Sequence, residues 1–325
     1  MKLSILYDKS WRISLVGLVC SLLLACQIQQ QPLRVALSPW LGFEPIFLSK
    51  QLAYVGAEQY TVSELTTPSH VMHALKSGQV DGAFLSLTEV INLLAESVDL
   101  TIVAVVDRSV GGDALVSQAD ISQVSQLTGK RIGYESKSVA SLVMDDWLNN
   151  EDVNADNFVL VEAKLDEQLA LFRKGEISAV MTSGPIQSRL VDNLSANVLY
   201  QSGSQGEPYY RVMVVRTEVL HEKSRQLGQL LSNFFAAQSW LQEHSREGYK
   251  LIAKRNQLYS KEVRQAYSKI QMLNKQQSIA LLSGEVMIGH AQQKAQRMAE
   301  LELIHRSPDL RRNFTSEWLT EFSGV

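Results

Sequence analysis

The sequence has only two cysteines among its 325 residues, and both of them, Cys20 and Cys26, stand near the amino terminus. A chain without later cysteines cannot close a disulfide within its main body. The scarcity of cysteine therefore excludes a small scaffold held together by disulfides. The length is sufficient for one large core or two medium ones, and two lobes are the more usual arrangement at this size.

An excess of positive charge is also lacking. The formal net charge is −3, and charged residues make up 20% of the chain without any block of five or more like charges. A protein that binds nucleic acid needs basic side chains to neutralise phosphates. We therefore expect no nucleic-acid partner.

The common catalytic signatures are missing from the sequence. It contains no G-x-S-x-G elbow, no phosphate-binding loop and no H-E-x-x-H pair. His70 and His73 stand three positions apart, so they share a helix face and can contact one metal ion. No third ligand follows at a recognisable spacing, and a surface helix explains both histidines better. We expect no metal, no cofactor and no enzymatic activity.

One apolar run stands near the amino terminus, "ISLVGLVCSLLLA" at 13–25, and it follows the basic residues Lys2, Lys9 and Arg12. It is too short to span a bilayer comfortably, but it suits the core of a signal peptide covering residues 1–25. The run ends in Leu-Leu-Ala-Cys, which resembles the bacterial lipobox. That resemblance implies that Cys26 carries the lipid and that residues 26–31 are a tether.

Two alternatives to the lipobox are a plain signal peptide and a membrane anchor with an incidental cysteine. A lipidated chain is expected in the periplasm, anchored to a membrane. Gln27, in place of an aspartate, resembles the pattern of outer-membrane lipoproteins in Gram-negative bacteria.

After the tether, short apolar strands alternate with amphipathic helices, which predicts an α/β fold with mainly parallel sheets. The continuous apolar run "LTIVAVV" at 100–106 is typical of a strand buried on both faces. The alternation begins again at "DALVS", and "YYRVMVVR" at 209–216 reads as a further buried strand. Ser69 is a plausible N-cap for the helix after the second strand. From Glu222 onward the pattern is helical, with Ser260 as the cap of a further helix. Together these features predict two α/β lobes and a helical C-terminal region.

Six segments in this order resemble a known family. They are "SPWLGFEPIFLSKQLAY", "LKSGQVDGAFLSLTEVINLL", "VVDRSVGGDALV", "LTGKRIGYESKSVASLVMDDWL", "FRKGEISAVMTSGPIQSRL" and "EPYYRVMVVR". Together they are similar to the nitrate-, sulfonate- and taurine-type substrate-binding proteins of ABC importers. These proteins have the type 2 periplasmic binding protein fold and are related to proteins that bind thiamine-pyrimidine precursors.

The resemblance covers roughly residues 32–290 and departs from the family at Thr182-Ser183-Gly184-Pro185, where an acidic residue often precedes the proline. It implies two hinges, near Asp107–Gly112 and near Gly206–Arg211. The implied division is a discontinuous first lobe at 32–108 and 212–325, and a second lobe at 109–211.

The binding site is expected in the cleft between the lobes, where helices begin directly after strands. Free N–H groups and positive dipole ends at such junctions suit anions. The hydroxyls there can instead cap their own helices. Trp40 follows the first strand, where the family places an aromatic residue over the ligand, and core packing is its alternative role. The candidate ligand-binding residues are Trp40, Phe43, Ser86, Thr88, Asp107, Glu135, Ser138, Thr182 and Ser183.

Acidic residues also stand near the predicted cleft: Glu44, Glu89, Asp107, Asp113 and Glu135. Each can be a solvated or capping carboxylate. Two of them inside the cleft would favour a ligand with an amine or a cationic ring. A zwitterion such as an amino-sulfonate, or a pyrimidine-like thiamine precursor, satisfies both signals.

The resemblance implies a monomeric lipoprotein that captures a small anionic or zwitterionic molecule for an ABC permease. Two alternatives share the same cleft: a protein that signals to a membrane sensor, and a protein that binds a thiamine precursor. An enzyme related to the thiamine-pyrimidine synthases fits least well, because those synthases carry a cysteine-rich motif.

Overall fold

The structure, a computed structural model, describes residues 31–203 and 208–321. The predicted signal peptide, Cys26, Gln27 and the hinge residue Gly206 lie outside the described residues. The described residues from Pro32 onward form one compact unit. Within the described ranges, no helix has both the length and the apolarity to cross a bilayer.

The larger sheet has six strands in the order β11-β4-β10-β3-β1-β2. Strands β1, β2 and β3 pair in parallel, whereas β10 runs antiparallel between β3 and β4. Strand β11 pairs antiparallel with β4 at one edge. The strands are β1 Leu33–Leu37, β2 Tyr60–Glu64, β3 Gly82–Ser86, β4 Leu100–Ser109, β10 Tyr209–Arg216 and β11 Ile270–Met272.

The smaller sheet has five strands in the order β7-β6-β8-β5-β9. Strand β6 pairs in parallel with β7 and β8, and β5 pairs antiparallel with β8 and β9. The strands are β5 Asp113–Ser117, β6 Arg131–Tyr134, β7 Val159–Glu162, β8 Ala179–Ser183 and β9 Asn197–Gln201.

Thirteen helices cover the sheets in the described ranges. Helices α4, α5 and α6 follow strands of the smaller sheet; the others belong to the larger sheet and the C-terminal region. They are α1 Pro45–Gln51, α2 Pro68–Lys76, α3 Leu87–Ala95, α4 Val139–Asn150, α5 Leu165–Arg173, α6 Ile186–Leu194, α7 Val219–Glu222, α8 Ser224–Glu243, α9 Ser245–Asn256, α10 Ser260–Tyr267, α11 Lys275–Ser283, α12 Glu285–Glu300 and α13 Glu317–Glu321.

Burial explains why these segments fold as they do. Nine of the ten residues of β4 are buried, as expected for a strand covered on both faces. Aromatic rings join the larger sheet to the C-terminal helices, since the ring of Phe84 lies 5.3 Å from those of Phe43 and Phe234. Phe43 is therefore a core residue of the larger lobe.

Two helix starts differ from the sequence prediction. Thr67, and not Ser69, caps α2, because its side chain accepts a hydrogen bond from the His70 N–H. Pro68 takes the first helical position, where its missing N–H costs nothing. Similarly, α10 begins at Ser260 itself, with Tyr259 before it as the N-cap residue.

The chain passes from the larger sheet to the smaller one after Ser109 and returns before Tyr209. The two chain segments that cross between the sheets are linked by side-chain contacts near the larger sheet. Ser109 Oγ lies 2.9 Å from Ser202 Oγ and accepts hydrogen bonds from the N–H groups of Gly112 and Asp113. The α/β class is confirmed, but both sheets are mixed and not mainly parallel, because the described strands form four parallel and five antiparallel pairs. The lobe boundaries at 108/109 and 211/212 stay predictions.

Candidate functional site

Three polar side chains lie side by side where the central strands of the larger sheet approach the smaller one. Arg211 on β10 is in register with Ser86 on β3 and with Asp107 on β4. Directly opposite residues in a sheet point to the same face. The sheet therefore places a guanidinium next to a carboxylate at the end of two adjacent, largely buried strands.

Trp40, which follows β1, completes this group. Its Nε1 donates a hydrogen bond of 3.0 Å to Asp107 Oδ2, and the Arg211 guanidinium carbon lies 4.2 Å from the centre of its ring. The Arg211 Nη2 donates to both oxygens of Asp113, at 2.7 and 3.0 Å. Because Asp113 begins the smaller sheet, this ion pair joins the two lobes. We call Trp40, Asp107, Asp113 and Arg211 the central cluster.

The central cluster is closed to solvent but not fully hydrogen-bonded. Asp107 is 0% exposed and Arg211 is 4% exposed. Asp107 Oδ1 and Arg211 Nη1 have no hydrogen-bond partner among the described residues, and neither has Thr182 Oγ1 on β8. Buried polar atoms without partners are uncommon because each costs free energy, and they often mark a functional site.

Burial changes the acidity of these groups. It raises the pKa of Asp107 to about 7, although the Arg211 charge and the Trp40 N–H both act to lower it. Burial alone lowers the pKa of Arg211, but the carboxylates around it, Asp113 first, outweigh this effect and raise that pKa.

A second buried carboxylate, Glu89, stands beside the central cluster. Its Oε2 accepts a hydrogen bond of 2.7 Å from the Ser86 N–H, while Ser86 Oγ caps α3. Its Oε1 lies 3.5 Å from the Val139 N–H at the start of α4 in the smaller lobe. Burial raises the pKa of Glu89 to about 6, against the opposing charge of Arg211.

Glu135 makes a third connection between the lobes, after the Arg211–Asp113 ion pair and the contact of Glu89 with Val139. It follows β6 and accepts hydrogen bonds from the Ser69 N–H, at 3.2 Å, and from the Ser69 hydroxyl at the start of α2. Its other oxygen accepts from the Leu165 N–H, at 3.1 Å, at the start of α5. Burial raises the pKa of Glu135, although these donors act to lower it.

The remaining predicted residues separate into three environments. Ser86 and Ser138 are N-caps of α3 and α4, so their hydroxyls serve the backbone. Thr88 is buried within the first turn of α3. Ser183 is half-buried and lies opposite Asp113 in the ladder between β8 and β5. Ligand contact by these residues stays a prediction.

A cavity of about 440 Å³ opens between the lobes next to the Glu135 bridge. Its walls come from both lobes, and most of its apolar lining residues belong to the smaller one. The walls include Pro39, Thr66, Leu165, Pro185, Arg189 and Asn256. Arg189 Nη2 also donates to the Asn256 carbonyl at 3.1 Å, across one end of the cavity.

Sequence reasoning missed Arg211 as a site residue, although a signal was present. Arg211 is the only charged residue inside the strand segment "YYRVMVV", and a charge in a buried strand requires a partner. Ser69 was interpreted only as a helix cap. Among the described residues, no group of three or more potential ligands stands close enough to hold a metal ion, and His70 Nδ1 bonds to Thr66 Oγ1.

Comparisons with known proteins agree with this geometry. Residues 27–255 match the model of the NMT1-like family, and the chain belongs to that family. No curated protein sequence matches the chain significantly.

Solved structures share the fold at low identity. The alkanesulfonate-binding protein SsuA of Xanthomonas axonopodis pv. citri, bound to MOPS, superposes with a TM-score of 0.69 at 17% identity, covering 84% of this chain and 95% of its own. The periplasmic nitrate-binding protein NrtA of Synechocystis PCC 6803 gives a TM-score of 0.75 at 11% identity, covering 91% and 89%. The desulfurization enzyme DszB gives 0.65 at 14% identity, covering 89% and 98%.

These likenesses confirm the two-lobed periplasmic binding protein fold and the resemblance to the nitrate- and sulfonate-binding type. Because the identities are low, they show the fold alone. One neighbour is an enzyme, so the fold by itself does not decide between binding and catalysis.

Proposed function

We propose that the protein is an extracytoplasmic solute-binding lipoprotein that captures a small molecule between its lobes for an ABC importer. The observation that carries the proposal is the central cluster, which spans both lobes and holds buried polar atoms without partners. Such atoms suit a ligand that supplies the missing hydrogen bonds when the lobes close. The family and the fold of the structural neighbours support the same role.

The ligand is proposed to be small and zwitterionic or anionic. Arg211 Nη1 is a free donor for an acidic group, and Asp107 Oδ1 is a free acceptor for an ammonium group. Trp40 and Asp107 are the predicted ligand residues best supported by the contacts. A pyrimidine-like thiamine precursor with an exocyclic amine is the alternative ligand.

The absence of cysteine after Cys26 and of the usual catalytic signatures supports binding without turnover.

The partners are proposed to be an ABC permease and a membrane. The protein would reach the membrane through lipid on Cys26 and the tether at 26–31, and its body would be a monomer in the periplasm. Gln27 favours a second candidate, a ligand-binding protein that signals to a membrane sensor, because an outer-membrane anchor would hold the protein away from an inner-membrane permease.

A thermal-shift screen of the full chain in detergent tests the proposed function. The library would contain nitrate, alkyl sulfonates, taurine, amino acids, polyamines and thiamine precursors. A true ligand raises the melting temperature in proportion to the logarithm of its concentration above the dissociation constant. Calorimetry of each hit should give one-to-one binding, and the compound should be recovered unchanged. A library without any hit, or a hit that is converted to product, would contradict the proposal.

The lipid anchor needs a separate test. Expressed in a Gram-negative host, the chain should incorporate labelled palmitate, and Cys26→Ser should abolish the labelling. Cys20→Ser is the matched control, because Cys20 would leave with the signal peptide. Normal labelling of the Cys26 variant would refute the anchor without affecting the binding role.

A further inference from the structure

We propose that the ligand carries a protonated amine and that the site rejects plain anions, because two of the protein's own carboxylates occupy the helix starts in the cleft. This inference rests on the proposed function and narrows its ligand class. It departs from the expectation that helix N-termini in the cleft bind an anionic group. Three sets of observations support this inference.

The first set is at the helix starts. Glu135 accepts backbone N–H groups from Ser69 at the start of α2 and from Leu165 at the start of α5. Glu89 accepts the Ser86 N–H before α3 and lies against the Val139 N–H of α4. These are the donors and positive dipole ends that an anion would use. An incoming sulfonate or nitrate would have to displace an internal carboxylate or remain close to it.

The second set is the charge around Arg211. Its pKa responds to three carboxylates, those of Asp113, Asp107 and Glu89. Each of the four side chains is at least 95% buried. One cation faces three acids, and only Asp113 receives hydrogen bonds from it. A buried group of this kind attracts a further positive charge and repels a negative one.

The third set is the atoms left without partners. Asp107 Oδ1 can only accept a hydrogen bond when the carboxyl is ionised, and the Thr182 hydroxyl can also accept. An ammonium group donates in three directions, so it suits a site that offers such acceptors. Arg211 Nη1 remains available to an acceptor elsewhere on the ligand. The site therefore admits amines and zwitterions but leaves Asp107 unsatisfied when the ligand is a plain anion.

The titration of the site supports the same class. The pKa of Asp107 is about 7 and that of Glu89 about 6, so the ionised fraction of both rises between pH 6 and pH 8. Arg211 and Asp113 influence the pKa of Asp107, and Asp107 in turn raises the pKa of Tyr267. The Arg211 charge is constant over this range. Amine binding should therefore strengthen between pH 6 and pH 8.

The test is a library of skeleton-matched compounds in which each acid is paired with its amine-bearing counterpart. Pairs include ethanesulfonate with taurine, and butyrate with 4-aminobutyrate and butylamine. Dissociation constants are measured calorimetrically on the full chain in detergent. We expect every compound that binds to carry an amine and to bind at least about ten-fold more tightly than its amine-free partner, the effect of one charge-assisted hydrogen bond.

Two variants sharpen the test. Asp107→Asn should lose about ten-fold or more in affinity for the amine-bearing compound and lose the part of the pH dependence that Asp107 contributes, while the part from Glu89 remains. Asp309→Asn, which removes an exposed carboxylate paired with Arg311, is the control and should bind as the unmodified chain does. Melting curves without ligand verify that both variants fold.

The outcomes separate the inference from the proposed function. If ethanesulfonate or butyrate binds as tightly as its amine-bearing partner, the inference is wrong while the binding role stands. If Asp107→Asn keeps full affinity for the amine, the inference is also wrong. If no compound of a broad metabolite library binds, the proposed function fails, and the inference fails with it.

Discussion

Trp40 is the residue in which the packing role and the recognition role overlap. Its ring is 5% exposed and lies under the Arg211 guanidinium, and its N–H bonds to Asp107. Sequence reasoning left ligand contact and core packing as alternatives for this residue. The contacts show that it packs, and that it holds a titratable carboxylate in place.

Replacing Trp40 with phenylalanine should cost more stability at high pH than at low pH. The variant keeps an aromatic ring but leaves Asp107 Oδ2 without its donor. A hydrogen bond to an ionised acceptor contributes about 1.5–3 kcal/mol, and one to a neutral acceptor about 0.5–1.5 kcal/mol. Urea denaturation at pH 8 and pH 5 measures the difference.

Trp147→Phe is the matched control for this experiment. Trp147 is fully buried, and its Nε1 has no hydrogen-bond partner among the described residues. The control loses the same ring volume but no hydrogen bond, so its cost should not change with pH. Equal pH dependence in the two variants would show that the Trp40 N–H contributes nothing through Asp107.

Asp107 itself should make the folded protein less stable as the pH rises. Its pKa is raised from an ordinary value near 4 to about 7, so the folded chain binds its proton more tightly than the unfolded chain does. The stability gained is present at low pH and is lost between about pH 4 and pH 7, with a slope of up to about 1.4 kcal/mol per pH unit.

In Asp107→Asn this loss should disappear. The fall in the free energy of unfolding between pH 5 and pH 8 should be smaller than in the unmodified chain by on the order of 2 kcal/mol. Urea denaturation with Asp309→Asn as control measures it. The raised pKa of Glu89 remains in both proteins. An equally large fall in the Asp107 variant would show that this carboxyl is already ionised at pH 5.

At the scale of the elements, the apolar pattern predicted the central strands well. "YYRVMVVR" at 209–216 coincides with β10, and "LTIVAVV" covers most of β4. Strands buried on both faces carry an unmistakable apolar run. Helix starts were less predictable, because Thr67 and Ser69 are both residue types that cap helices. Thr67 caps α2, and Ser69 instead donates its N–H to Glu135, which is distant in sequence.

The binding residues were only partly predictable for the same reason. Asp107, Glu135 and Thr182 were named because they follow or end strands. The role of Arg211 depends on its register with Ser86 and Asp107, and register across a sheet is a property of the folded chain. The free acceptor on Asp107 depends on three segments that meet only after folding.

The connection from β4 to β5 should tolerate no side chain at Gly112. A Cβ there would lie 2.6 Å from the Trp40 ring and 3.3 Å from the Lys269 carbonyl. Neither neighbour has room to move, since the ring is held by Asp107 and Arg211. We expect Gly112→Ala to lower the free energy of unfolding by about 1–3 kcal/mol, the usual cost of overpacking.

Gly289→Ala is the matched comparison, because a side chain has room at this position. Gly289 lies within α12, is exposed, and has nothing within 4 Å of its Cβ position. Alanine at this position should raise the free energy of unfolding by about 0.5–1 kcal/mol through helix propensity. If Gly112→Ala and Gly289→Ala changed the free energy of unfolding in the same direction, crowding would not explain the effect of the Gly112 variant.

At the scale of the whole molecule, the closed arrangement is held by bridges between the lobes. The bridge from Glu135 to Ser69 is one, and a second joins Asp145 on α4 to Arg297 on α12 at 2.8 Å. The bridge at Glu135 is the more buried of the two. Breaking it should shift the population toward an open form.

Glu135→Ala should therefore enlarge the ligand-free protein, because α2 and α5 lose their shared acceptor. Small-angle scattering measures the radius of gyration. Glu162→Ala is the matched control, since Glu162 accepts the Ser136 N–H, which belongs to its own lobe. Identical scattering from the Glu135 variant and the control would show that other contacts keep the lobes together.

The two chain passages between the sheets, joined at Ser109 and Ser202, lie next to the central cluster. In a body that rotates about a pivot, points near the axis move least. The groups that recognise the ligand should thus keep almost the same geometry in the open and the closed protein, whereas Ser69 and Glu135 separate widely. Because these groups are buried, association should require the lobes to open first, and the lifetime of the complex should be set by the opening of the Glu135 bridge.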